Sequence, residues 1–332
     1  RPGALRSRPT PASEEPPSMN PSPARQRDGL DQTILALGRA DPLIVAVDAD
    51  YGRPTRETPF SKEFPDRFFD VSTSDPNTVG TSARLAGEGR TVIATGLASL
   101  IAGQGYDRVR ESVCRPKARV RFLADPTIPL PEEVGPSGPM AEDIGLMVGL
   151  PGMTVLCPAD PPSASSALRA SVGIDGPAYL RLGPDDAPTV TDGIVEIGRA
   201  RELRAGQDLT IVAVGAAVGR ALETATALAR VGISARVLDL ASVKPIDGKA
   251  LLRAARETGA ILSLEEHSAL RGVGSLVAAY TSEEYPVPVR RMGSPDLFPE
   301  VPEEGASDPY GLSLEHCLEE AYELLRARGK VQ

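Results

Sequence analysis

Apolar runs of strand length alternate with helix-period segments along almost the whole chain, which predicts an α/β protein of two domains, each on a mostly parallel sheet. Three observations carry that expectation. Runs such as "PLIVAVDAD", "MTVLCPAD" and "PAYLRLGP" are short, apolar and bounded by turn residues, as buried parallel strands are. Segments of helical period, such as "PPSASSALRASV", lie between them. At 332 residues the chain is long enough for two cores of ordinary size.

The first twenty-nine residues are rich in Pro, Ser and Arg and predict a disordered arm over 1–29. The arm has no apolar h-region for a secretory signal, Glu14 and Glu15 interrupt a transit-peptide pattern, and Met19 is a candidate start. The first domain is expected over 30–188. "GLDQTILALGRA" reads as a helix and "PLIVAVDAD" as a buried strand; "RFFDVS" is a short strand and "PNTVGTSARLAGEG" a helix closed by glycines. "TVIATGLASL" passes from strand into helix, and "ARVRFLAD", "MTVLCPAD" and "PAYLRLGP" are further strands. A second domain is expected over 194–332: strand "DLTIVAVG", helix "AAVGRALETATALARVG", strand and turn "SARVLDLASVKPID", helix "GKALLRAARETG", strand "AILSLEEH" and helix "GVGSLVAAYTSE". A strongly amphipathic last helix is expected from near Ser313. Parallel sheets of this kind gather their ligands at the carboxyl ends of the strands, where Asp75, Asp125, Asp160 and Gly183 fall.

Composition excludes several classes. A formal charge of −9 and the lack of a Lys/Arg run with interleaved aromatics speak against nucleic acid, and no apolar run reaches membrane-spanning length. The three cysteines are far apart, with no metal-ligand spacing, so no metal site is expected and a reducing cytoplasmic setting is. With only two histidines and no GxSxG elbow, a Ser-His-Asp triad is not expected, and no GxxxxGK[ST] marks a P-loop. "VGAAVG" lacks the middle glycine of a dinucleotide fingerprint and reads as a tight strand-to-helix turn. "SLEEHS", the densest ionisable group, reads as acid–base machinery or, preferentially, as an ion-pair cluster at an interface.

Taken in order, "FPDRFFDV", "AEDIGLMVGLPGMTVLCPAD", "GPAYLRLG", "SVKPID" and "ILSLEEHSALRGVGSLVAA" resemble the C-terminal section of transketolase, its pyrimidine-binding and C-terminal domains, from about Asp41 to the last helix. Deoxyxylulose-phosphate synthases and the β chains of 2-oxo-acid dehydrogenases share that pair of domains. The resemblance implies a thiamine-diphosphate enzyme that passes a two-carbon ketol unit from a ketose to an aldehyde. It implies that diphosphate and Mg²⁺ are held by a separate N-terminal subunit with a GDG motif, absent here, in an α2β2 assembly.

Setting the family's "FFNVGIAEQNMVG" on "FFDVSTSDPNTVG" places Asp75 where a glutamate hydrogen-bonds the cofactor's N1′ and primes it to take the C2 proton. The residues themselves also read as an N-cap Asp75 followed by Pro76 at the first helical position. As a catalyst, Asp75 reaches roughly 1.3 Å less than glutamate, against contacts of about 2.6–3.2 Å needed for proton transfer. The family's "TF-x-x-F" becomes Leu97 and Leu100, an apolar floor without the aromatic stacking worth about 0.5–1.5 kcal/mol. Its substrate histidines fall at Ala124 or its neighbours and at Gly138, and its phosphate arginine becomes Pro184, leaving Asp125, Glu133, Arg181 and His267 as substrate-side residues. The departures imply an altered, non-phosphorylated substrate or, alternatively, a non-catalytic scaffold or regulatory subunit.

Overall fold

The computed structural model describes residues 26–49, 58–71, 75–126, 140–184, 187–296 and 310–329. Its first sheet has seven strands: β1 (Ile44–Asp48), β2 (Phe68–Asp70), β3 (Thr91–Leu97), β4 (Val120–Asp125), β5 (Thr154–Leu156), β6 (Ala178–Arg181) and β10 (Ser242–Lys244). They are ordered β10-β5-β6-β4-β3-β1-β2. Every pairing is parallel except β10 with β5. The second sheet holds β7 (Arg201–Arg204), β8 (Leu209–Ala213), β9 (Ala235–Asp239), β11 (Ile261–Ser268) and β12 (Val289–Ser294). Its order is β12-β11-β8-β9-β7, with only β7 antiparallel.

The strands form where the sequence runs apolar. β1 and β8 are buried at every position, as a sheet covered on both faces demands. One face of the first sheet is covered by α1 (Gln26–Ala40) and α6 (Pro161–Val172), which bury Leu30, Ile34, Ala164 and Leu168 against Ile44, Ile93, Leu123 and Leu180. On the other face, α3 (Asp75–Gly87) contributes Val79 and Leu85, and α5 (Asp143–Val148) contributes Ile144 and Met147. That core does not stop at the first sheet: it continues through Tyr179 and Cys157 into Val212, Leu238, Val243 and Leu251 of the second half. A separate core lies where α7 (Ala217–Ala229) and α10 (Leu314–Arg326) cover the second sheet.

Most expected elements form, with four differences. The first helix starts at Gln26, three residues before the expected one. β7 and β12 lie in segments with no strand signal, and the "SVK" read as part of a turn is β10, which crosses over to pair with the first sheet. The helix after β3 is largely π-helical, over Ser99–Gln104 and Val109–Cys114. Residues 1–25 lie outside the described residues.

Candidate active site

The carboxyl edge of the first sheet brings several of the expected residues together. β1, β3 and β4 run side by side in register, so Asp48 stands opposite Thr95, and Leu97 opposite Asp125. Thr95 donates its hydroxyl hydrogen to Asp48 Oδ1 at 2.5 Å and ties the ends of β1 and β3 together. Leu97 and Leu100 are buried, at 4% and 9% exposure, yet belong to none of the three cores. Both lie at the carboxyl end of β3, Leu97 on the strand and Leu100 in the helical segment after it, with half-buried Asp125 opposite Leu97. Asp75 is the first residue of α3, so its backbone stands at the helix start; its side chain lies outside the described residues, as do Glu133 and Gly138. Ala124 is fully buried and Pro184 half-buried. Among the described residues, no three His, Cys, Asp or Glu side chains gather to hold a metal ion.

Arg181 ends β6 at this same edge, opposite Ala124, but its side chain turns, with His267 of β11, into a buried cluster between the two sheets. Arg181 Nε donates to Asp143 Oδ1 at 3.0 Å, and its Nη2 to the carbonyl of Glu266 at 2.8 Å. Tyr179, two residues earlier on β6 and so on the same face, donates its hydroxyl to Asp143 Oδ2 at 2.7 Å. Burial opposes the guanidinium's charge, but Asp143 outweighs it and holds the Arg181 pKa high; burial, reinforced by Asp143, drives the Tyr179 phenol up. His267 is fully buried, and burial lowers its pKa to about 4 despite Asp143 at 3.8 Å. The neutral ring accepts from Gly145 N at 3.3 Å, which leaves Nδ1 as the donor toward Ser268 O at 3.2 Å.

Glu265 completes this group. Its carboxylate accepts from Val273 N at 2.6 Å and Gly274 N at 2.9 Å, capping α9 (Val273–Glu284). Burial raises its pKa to about 7, against those two amides. A Cβ at Gly272 would overlap the carboxylate, so any larger residue there would push Glu265 off these two amides. "SLEEHS" is therefore an ion-pair and hydrogen-bond cluster whose interface is internal, joining the two halves of one chain. Asp143 and Tyr179, central to it, were not among the expected site residues. The available signal was two polar side chains, Tyr179 and Arg181, at alternate positions of an otherwise apolar strand.

Fold and site define the class: a two-domain α/β chain whose first sheet presents an apolar, acid-flanked carboxyl edge. Residues 23–188 match the transketolase pyrimidine-binding domain and residues 198–326 the transketolase C-terminal domain, and the chain belongs to the transketolase family. It is 35% identical over 305 residues to the 6-deoxy-6-sulfo-D-fructose transketolase subunit of Clostridium sp. (strain MSTE9), covering 90% of this chain and 94% of that one. It is 34% identical to an apulose-4-phosphate transketolase subunit of Phocaeicola vulgatus, over 81% of this chain and 87% of that one. The solved structure titled "Split gene transketolase, inactive beta4 tetramer" superposes with a TM-score of 0.83 at 37% identity, covering 92% of this chain and 99% of that one. No helix among the described residues is long and apolar enough to cross a membrane.

Proposed function

We propose that this chain is the C-terminal subunit of a split, thiamine-diphosphate-dependent transketolase, active with an N-terminal partner subunit that holds diphosphate and Mg²⁺. The observation that carries the reading is the pairing of both family domains on one chain nearly coextensive with relatives named as transketolase subunits. The bound cofactor would supply a carbanion-forming C2 for transfer of a ketol unit from a ketose to an aldehyde. The described residues fit the share of the site left to this chain. Leu97 and Leu100 carry no donor or acceptor and offer the pyrimidine a dry apolar face. Asp75, at the start of α3, is the carboxylate for N1′, and it acts by holding a proton there. The two domains are expected to divide at 30–188 and 194–332, and the assembly to be α2β2, in the cytoplasm.

The substrate is proposed to differ from an ordinary sugar phosphate. Pro184 stands at the phosphate position, and Arg181 is turned inward to Asp143 and Glu266. Asp125 at the edge, with Glu133, is then the polar side offered to substrate. Full activity of the reconstituted pair on common pentose phosphates would count against this part.

The experiment is hydrogen–deuterium exchange at cofactor C2 with Mg²⁺ and the partner subunit, comparing wild type with Asp75→Ala. Fast exchange that drops by about a hundredfold or more in the variant is expected, the effect typical of a lost acid–base group. Exchange no faster than that of free cofactor would favour the second reading, a non-catalytic scaffold, which the loss of aromatics at Leu97 and Leu100 motivates.

A further inference from the structure

α5 is six residues long, less than two turns, and a helix that short does not hold its place by its own bonds. Both of its ends are held from the second half. At the first turn Glu142 offers no side-chain cap, and Gly145 N donates instead to His267 Nε2 of β11 at 3.3 Å. The chain beyond His267 adds a main-chain bond, Ser268 N to Ala141 O at 2.6 Å. It also packs on Gly145, where a Cβ would stand 2.9 Å from Arg271 O. At the other end, Lys244 Nζ of β10 donates to the carbonyls of Val148 and Leu150 at 2.8 and 2.6 Å. The two caps suit the helix's polarity. The ammonium meets the negative end, and the ring at the positive end is neutral because burial lowers its pKa to about 4.

α5 in turn holds β6. Its first residue, Asp143, accepts from Arg181 and Tyr179, the two polar side chains of that strand. Arg181 ends β6, and the next amide, Leu182 N, donates to Ala124 O at 2.9 Å, one residue before Asp125. An unbroken series of bonds therefore runs from Lys244 and His267, through α5, Asp143 and Arg181, to the end of β4 where Asp125 stands. Contiguous packed and hydrogen-bonded groups of this kind are what carry coupling between distant parts of a fold.

We propose that Lys244 and His267 are positioning residues: by holding α5 at its two ends they fix the end of β6 against β4, on the substrate side of the site. The inference rests on the proposed function and gives the C-terminal domain a task at a site built on the other sheet.

Amide hydrogen exchange of the chain alone, read by NMR, tests the relay without cofactor. Lys244→Met keeps the length of the side chain and removes the donor. It should speed exchange of the Gly145 and Leu182 amides by about tenfold or more. The Ala49 amide, bonded to Thr95 O where β1 meets β3, should stay unchanged. Lys244→Arg should match wild type. His267→Leu should act at Leu182 as Lys244→Met does, and His267→Gln, whose amide oxygen can accept from Gly145 N, should not. A rise confined to Gly145 would overturn the relay, and an equal rise at Ala49 would overturn it too, as the mark of general destabilisation. The second measurement uses the partner subunit, thiamine diphosphate and Mg²⁺, with hydroxypyruvate and glycolaldehyde as probe donor and acceptor. Lys244→Met should raise the KM for glycolaldehyde by about tenfold and leave kcat within about threefold. An unchanged KM would overturn the positioning role. A wild-type complex without C2 exchange would instead refute the proposed function, and amide exchange alone would then decide the relay.

Discussion

Asp239 ends β9 with a carboxylate 2% exposed, whose Oδ1 has no hydrogen-bond partner among the described residues. Burial and the nearby charge of Asp160 raise its pKa to about 7, while the amide of Ala241 and the charge of Arg201 pull the other way. Unfolded, an aspartate titrates near 3.9. The folded state therefore holds a proton that the unfolded chain releases, so the group's stabilising contribution is whole below about pH 4 and is lost as pH rises through about 7. Asp239→Asn removes that dependence. Its stability relative to wild type should improve from pH 5 to pH 8, as read from urea midpoints at the two pH values. An unchanged difference between variant and wild type at both pH values would mean that Asp239 is charged throughout. His267 works in the opposite sense: its lowered pKa makes its neutral burial favourable above about pH 6.5, an advantage lost as pH falls through about 4.

At the scale of elements, α6 depends on a single side chain. Asp160 Oδ1 accepts from Ser163 N at 2.9 Å, which closes a reciprocal cap with the Ser163 hydroxyl. Its Oδ2 accepts from Val190 N, Thr191 N and Thr191 Oγ1 at 2.9, 2.7 and 2.8 Å, pinning the connection between the two domains to the helix start. Burial works against this carboxylate, but the donors outweigh it and hold its pKa below the usual range. Asp160→Ala loses a cap worth about 1 kcal/mol and unpairs the half-buried Val190 and Thr191 amides, which water reaches in part. A loss of about 2–3 kcal/mol in chemical denaturation is expected on that basis, and a loss below about 1 kcal/mol would mean that water replaces the carboxylate.

The same scale explains what the sequence disclosed. Central strands such as β1 and β8 announce themselves because both faces are covered and every position is apolar. β7 reads "RELR" and sits at a sheet edge with no position fully buried, so burial imposes no pattern on it. β12, the opposite edge, carries Arg290 and Arg291 on an exposed stretch for the same reason. β10 is three residues long, and nothing local says that its partner is β5. Leu97 ends β3 and Leu100 follows it in a segment of helix, as the run from strand into helix led one to expect, so their place at the carboxyl edge was legible. The Asp143–Arg181–Tyr179–His267 cluster was only half legible, since its partners come from three elements that meet by tertiary packing alone. The π turns were hidden because a four-residue burial row differs little from an ordinary helical one over a single turn.

Over the whole molecule, the two family domains share main-chain bonds as well as side chains. β10 belongs in sequence to the second half, yet it borders the first sheet, and Lys244 at its end donates Nζ to the carbonyls of Val148 and Leu150 behind α5. Just past β5, Cys157 N donates to Ala241 O and Cys157 O accepts from Gly215 N, so the end of β5 is tied to the C-terminal half beyond its β10 border. Those pairings also decide where the polypeptide tolerates being severed. A fragment ending at 197 would carry the whole pyrimidine-binding match but present the apolar β5 as a raw, unguarded border, the kind of template on which strands of other molecules stack. Such a fragment should form concentration-dependent oligomers in sedimentation velocity, and a peptide spanning 240–247 should suppress them. A fragment that stays monomeric at every concentration would show that β5 needs no guard. On this view β10 acts as a built-in safeguard against aggregation, and it is lent to the first half by the second.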